Sequence, residues 1–263
     1  MADFIRSAKS SSDWTQHELI AYNITVSPIP PDEFFPTPDP SLDGINPAIL
    51  NSPLGSDTAF SEAAFMYLGY LDYAIEATQE GYIYTFAIRT LDFLDFLEPL
   101  VFTIGRYPVP LTICGVDSAA EVDICLIHDR GFVLLVLIQE KEFADAEARV
   151  VAQAIATFQF NNAKRREYGL SPLDAMTVPC VKISGTRPTF YLVPVTEELS
   201  EAVIDGRYPK YTTRVSQCVT IHTTQMDTRI GMENIEYRKL ALRRFLAFKE
   251  LAKSHWVRIL EGI

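Results

Sequence analysis

The sequence predicts an α/β protein, a mixed central sheet flanked by helices, with its core elements in the order αβββαβ. Three stretches carry that prediction. In Glu121–Lys141, the apolar runs Val122–Ile127 and Phe132–Ile138 flank His128-Asp129-Arg130-Gly131, the pattern of an antiparallel hairpin whose glycine is free to take positive φ. Residues 144–168 have helical spacing: Val151, Ala154, Ile155 and Phe158 form one face, Lys164, Arg165 and Arg166 sit at the C-terminal end, and Gly169 follows as a stop. Val178–Ser184 and Thr189–Val195 then form a second hairpin around Gly185 and Pro188.

Taken in order, residues 1–57 are crowded with proline, which interrupts helices and central strands, so they read as an N-terminal arm over the domain, anchored by Tyr22, Ile24, Val26, Phe34 and Phe35. Residues 58–263 read as a single domain. Its first helix runs from about Asp57 or Thr58 to Gln79, capped by Ser56 or Asp57, with a stripe through Phe60, Ala63, Ala64, Tyr67, Leu68, Leu71 and Ala74. Gly81–Ile88 reads as a strand and Leu91–Leu97 as a short helix. Pro108 and Pro110 disfavour a central strand, so the first strand of the three is expected to begin at Leu111, with Val116–Ala120 as the turn to the next. Thr196 caps a helix that Gly206 stops. Thr212–Thr224 is strand-like, and Glu233–Leu260 is a long amphipathic helix.

The polar residues of the first hairpin lie at its open end. Asp123 is inside one strand and Gln139-Glu140-Lys141 closes the other, with Gln139 and Lys141 on one face and Glu140 on the opposite one. That pattern can gather a carboxylate, an amide oxygen and an ammonium at one sheet edge. It equally suits solvated strand ends, just as Glu62 in the first turn of its helix suits a favourable charge–dipole placement.

Asp123, the hairpin, Gln139-Glu140-Lys141 and a following helix with Gln153 and Gln159 together resemble the PD-(D/E)XK nuclease-like superfamily in its D…QxK form. VAQAIATFQFNN at 151–162 and GTRPTFYLVPVT at 185–196 are similar to a set of fungal proteins with that core, and the resemblance spans roughly Ser61 to Tyr211. It implies a restriction-endonuclease-like αβββαβ core and Mg²⁺- or Mn²⁺-dependent hydrolysis of a phosphodiester in DNA or RNA. By the same resemblance, Asp123, the Gln139 amide oxygen, the Glu140 backbone carbonyl and Glu62 would hold the ion, hard oxygen donors suiting such a cation. Lys141 would act on the water and the developing phosphate charge, and Gln153, or else Gln159, would orient substrate or the metal shell. Gln139 stands where a carboxylate is commoner, so the ion would be held less tightly. A binding or interaction protein that keeps the core, and a hydrolase of a small phosphorylated substrate, are the alternative readings.

Charge bears on partners. Of 34 acidic and 23 basic side chains, residues 1–100 hold 15 and 3, so the whole excess of negative charge lies there. Residues 229–263 are basic, with eight Arg or Lys against four Glu. This permits a nucleic-acid patch in the second part and a protein partner for the acidic first part. Widely spaced Cys114, Cys125, Cys180 and Cys218 suit free core thiols. With no apolar run of membrane-spanning length and no signal-like start, no membrane contact is expected, and the expected location is intracellular, cytoplasm or nucleus.

Overall fold

The structure, a computed structural model, describes residues 6–54, 61–76, 80–140, 145–221 and 230–263. It is a mixed α/β fold with one seven-stranded sheet between helices. After a short 3₁₀ turn, Ser11–Asp13, come α1 (Gln16–Ala21), β1 (Ile24–Pro28), α2 (Pro31–Phe34), α3 (Pro47–Asn51), α4 (Glu62–Ile75) and α5 (Glu80–Phe93). The strands β2 (Val101–Ile113), β3 (Val116–His128) and β4 (Val133–Glu140) lead into α6 (Ala146–Glu167). Next are β5 (Ala175–Ser184), β6 (Arg187–Thr196), α7 (Glu197–Asp205), β7 (Thr213–Val219) and α8 (Ile235–Ile259). The sheet order is β1-β7-β6-β5-β4-β3-β2; β1 and β7 run parallel, as do β4 and β5, and the remaining pairs are antiparallel.

Neighbouring residues of β6 show which helix covers which face. Phe190 packs edge-on against Phe245 of α8, while Tyr191 shares the Gln217 amide with Glu147 of α6. Successive side chains of a strand point to opposite faces, so α6 and α8 lie on opposite sides of the sheet. β4 runs through the middle, and Val133–Ile138 are buried on both sides.

Four expectations are corrected. The arm is not merely a cover: Tyr22, Ile24, Phe34 and Phe35 are buried as expected, but Ile24–Pro28 forms an edge strand beside β7. Gly81–Ile88 is helical, because Ile83, Phe86, Ala87, Leu91 and Leu94 recur at helical spacing and are buried together, and this packing overrides the β-branched and aromatic local composition. β2 begins at Val101, ten residues before Leu111, and contains both prolines, which it tolerates as the other edge strand. The β2–β3 turn is Cys114-Gly115, with φ of 51° and 72°, leaving Val116–Ala120 within β3. The Ser61 side chain caps α4 at Glu62, whereas the expected start at Asp57 or Thr58, its cap at Ser56 or Asp57 and the expected end at Gln79 lie outside the described residues.

A buried arginine fastens the proline-rich segment to the last helix. Arg238 of α8 donates to the carbonyls of Met232 at 2.7 Å and of Ile49 and Ser52 at 2.9 Å, so burial of its charge is met by oriented carbonyl dipoles. The four cysteines are free thiols, and no helix of the described residues is long and apolar enough to cross a membrane.

Candidate functional site

Asp123 stands where two strand pairings change. The β3–β4 ladder ends with Ile124 opposite Leu137, and the Asp123 carboxylate fills the gap beyond it, with Oδ2 accepting the Gln139 N–H at 2.8 Å. On the other side, β2 turns over. A Cβ at Gly105 would collide with the hydroxyl of Tyr84 from α5, whereas the Tyr107 ring packs edge-on against Phe160 of α6 at 6.1 Å. Between them Arg106 has a φ of 51°, a conformation that breaks regular pleating, and it faces Asp123 in the ladder count.

Helix α6 brings two further side chains to this point. Arg149 places Nη2 3.9 Å from Asp123 Oδ2, and Gln153 donates Nε2 to the Glu121 carbonyl at 2.9 Å. Gln153 is 1% exposed, so it is a buried group and not one on the solvent side of its helix. Its Oε1 and the Nε of Arg149 are buried without a hydrogen-bond partner among the described residues. Gln159 binds the N–H and C=O of Thr112 at 2.8 and 3.2 Å. Both glutamines therefore hold strand backbone. Arg149 was missed from sequence, although one signal was present: a cation in the opening turns of a helix works against the helix dipole and asks for another reason to be there.

The remaining candidates are spread out. Counting pairs across β4, β5 and β6 puts Gln139 on the face of Leu137, Val181 and Phe190, the α8 side, while Asp123 is met by Arg149 from the α6 side. What joins Gln139 to Asp123 here is its backbone N–H. Glu140 is aligned with Ser184, but its side chain and all of Lys141 lie outside the described residues. Glu62 is exposed at the start of α4. The other end of that helix, Ala74 and Ile75, lines a cleft of about 220 Å³ with Ser184, Thr186, Arg187 and Glu233. Twelve residues of helix, roughly 18 Å at the α-helical rise, separate Glu62 from Ala74.

Among the described residues these donors offer a divalent ion few oxygens. Among the described residues no three His, Cys, Asp or Glu side chains converge. A hard cation wants several oxygens, and Asp123 brings one carboxylate whose Oδ2 already has an N–H donor and a nearby guanidinium. The basic C-terminal stretch is also largely spent. Arg238 holds carbonyls, Lys249 binds the Leu94 carbonyl, and Lys239, Arg244, Lys253 and Arg258 pair with Glu236, Asp39, Glu98 and Asp174. Compared with protein-family models and with curated protein sequences, the chain matches none.

Proposed function

We propose that the chain carries the restriction-endonuclease-like core of the PD-(D/E)XK superfamily and acts by binding a protein partner rather than by cutting nucleic acid. The core assignment rests on the run α5, β2, β3, β4, α6, β5, with α6 as the crossover between parallel β4 and β5. The binding assignment rests on Asp123: its carboxylate is a strut that ties β4 to β3 and faces the Arg149 guanidinium of α6. A surface for the partner is at hand. Phe65 and Tyr73 of α4 are 66% and 59% exposed, Tyr73 stacks on exposed Tyr82 of α5 at 5.5 Å, and Glu62, Asp72 and Glu76 lie on α4 or at its end. Exposed aromatic groups among carboxylates suit a basic, partly apolar protein surface.

A second reading is Mg²⁺- or Mn²⁺-dependent hydrolysis of DNA, RNA or a small phosphorylated compound. It is favoured by the same order of elements and by two buried atoms of α6, Arg149 Nε and Gln153 Oε1, that have no partner among the described residues. It requires groups outside the described residues, Lys141 first. Incubation of single- and double-stranded DNA and RNA with either ion separates the two readings. The binding reading predicts equal, background-level cleavage by the wild type and the Asp123→Ala variant. Cleavage lost in Asp123→Ala and in Lys141→Ala would establish the hydrolase.

A further inference from the structure

The solvent side of α4 has a glycine at its centre. Phe65 and Met66 precede Gly69 by four and three residues, and Asp72 and Tyr73 follow it by three and four, the spacing of direct neighbours on a helix surface. Phe65, Met66 and Tyr73 are all exposed. Glycine is a poor residue for a helix interior, and the backbone does not call for it here, since Gly69 lies within the helix and its φ is not positive. Packing does not call for it either: a Cβ at Gly69 would meet nothing within 4 Å among the described residues. The described fold therefore gains nothing from the missing side chain. What the glycine creates is a notch, walled by two apolar groups on one side and by Asp72 and Tyr73 on the other. Next to it, α4 and α5 enclose a cleft of about 410 Å³ between Met66, Tyr70 and Phe93. Arg89 spans that cleft, 5.4 Å above the Tyr70 ring and 3.5 Å from the Asp92 carboxylate. Apart from Arg89 the charge has one sign. No Lys or Arg occurs between Lys9 and Arg89, and Glu62, Asp72 and Glu76 edge the notched face.

We propose that a single amphipathic helix of a protein partner, apolar on one side and flanked by Lys or Arg, lies across α4 with its closest approach at Gly69. This rests on the partner-binding reading above and gives the partner its form. Helices pack by setting the ridge of one into the groove of the other, and a residue without a side chain lets the incoming ridge come nearer. Phe65, Met66 and Tyr73 then cover its apolar side, an anchoring side chain farther along enters the cleft at Tyr70 and Phe93, and its basic flanks meet Asp72, Glu76 and Glu62. An extended segment docks by pairing with a sheet edge, and this surface is wholly helical, so a helix is the occupant that uses the notch. A second copy of the chain would bring the same carboxylates to the face, and like charges oppose that contact.

Selection of a displayed library of helical peptides on the full chain tests this. The enriched peptides are expected to carry apolar residues at three- and four-residue spacing with Lys or Arg beside them. As fluorescein-labelled probes in anisotropy titrations, they should bind the wild type more weakly as salt is added. Gly69→Leu is expected to weaken that binding about tenfold or more, the usual size of a lost anchor, and Tyr73→Ser to weaken it as well. Gly69→Ala and Gly69→Leu should nevertheless raise the thermal unfolding midpoint, because each improves the free helix. A glycine kept for the fold alone would not give binding and stability opposite signs. The proposal is overturned if no peptide is enriched, if the enriched sequences are acidic or lack the helical spacing, or if Gly69→Leu binds them as the wild type does. Self-association of the wild type that disappears in Gly69→Leu also overturns it, by placing a second copy on the face. Failure of the partner-binding reading itself has another signature, Asp123-dependent cleavage of nucleic acid, which these titrations do not measure.

Discussion

The two halves of α6 bury polar side chains in opposite ways. In the C-terminal half every such group is closed. Asn161 exchanges both hydrogen bonds with the Val133 backbone at 2.9 and 2.8 Å, Asn162 does the same with Leu173, and Arg165 donates to the carbonyls of Ser171, Ile259 and Glu261. In the N-terminal half, Gln153 makes one bond, and neither its oxygen nor the buried Nε of Arg149 has a partner among the described residues. Nearly all buried polar groups in folded proteins are satisfied, because leaving one unpaired costs its desolvation energy. The closed half is thus built for architecture. The open half lies beside Asp123.

Substitutions sharpen this contrast. Asn161→Leu strands the N–H and C=O of Val133 in the core and should destabilise the fold by about 3 kcal/mol, measured by urea unfolding. Gln153→Leu removes one hydrogen bond but also an oxygen that has no partner among the described residues, and should cost about 1 kcal/mol or less. Arg149→Met breaks only a partly exposed, 3.9 Å pairing with Asp123, and its effect should fall within about 0.5 kcal/mol of zero. Equal losses for Asn161→Leu and Gln153→Leu would erase the distinction between the halves. The smallest effect should be common to all these proteins. Burial holds the His255 imidazole of α8 below its ordinary pKa, so the unfolded chain takes up the proton first as pH falls. Its contribution is complete above about pH 6.5 and is lost as the pH drops toward the folded value. The three variants should show the wild-type slope of stability between neutral and mildly acid pH, and His255→Gln a shallower one.

How much of this was legible beforehand depends on whether a signal was local. The β3–β4 hairpin was readable because two apolar runs enclose a turn ending in Gly131, whose φ is 85°, and α6 because its period and its basic end agree. Counting back along that hairpin brings Asp123 near position 139, where its carboxylate meets the Gln139 backbone N–H at 2.8 Å. Tertiary causes were not readable. Pro108 and Pro110 argue against a strand only if it is central, and the sheet order that makes β2 an edge is not written in those residues. Gly81–Ile88 of α5 looked extended because its aromatic and β-branched residues favour strands, and only packing against α4 and the sheet selects the helix. At the site, the face on which Asp123 meets a partner is set by the turn of β2 at Arg106 and by Arg149, which is remote in sequence.

The central claim is that Asp123 is a strut between β3, β4 and α6 and not a ligand, and calorimetric titration of Mg²⁺ and Mn²⁺ into the wild type, Gln139→Glu and Asp123→Ala proteins tests it most directly. The structure predicts no saturable heat for the wild type or for Gln139→Glu, since a carboxylate at 139 would sit on the α8 face, together with a loss of unfolding stability in Asp123→Ala. A saturable one-site isotherm in the wild type, tightened by Gln139→Glu and abolished by Asp123→Ala, would contradict that claim.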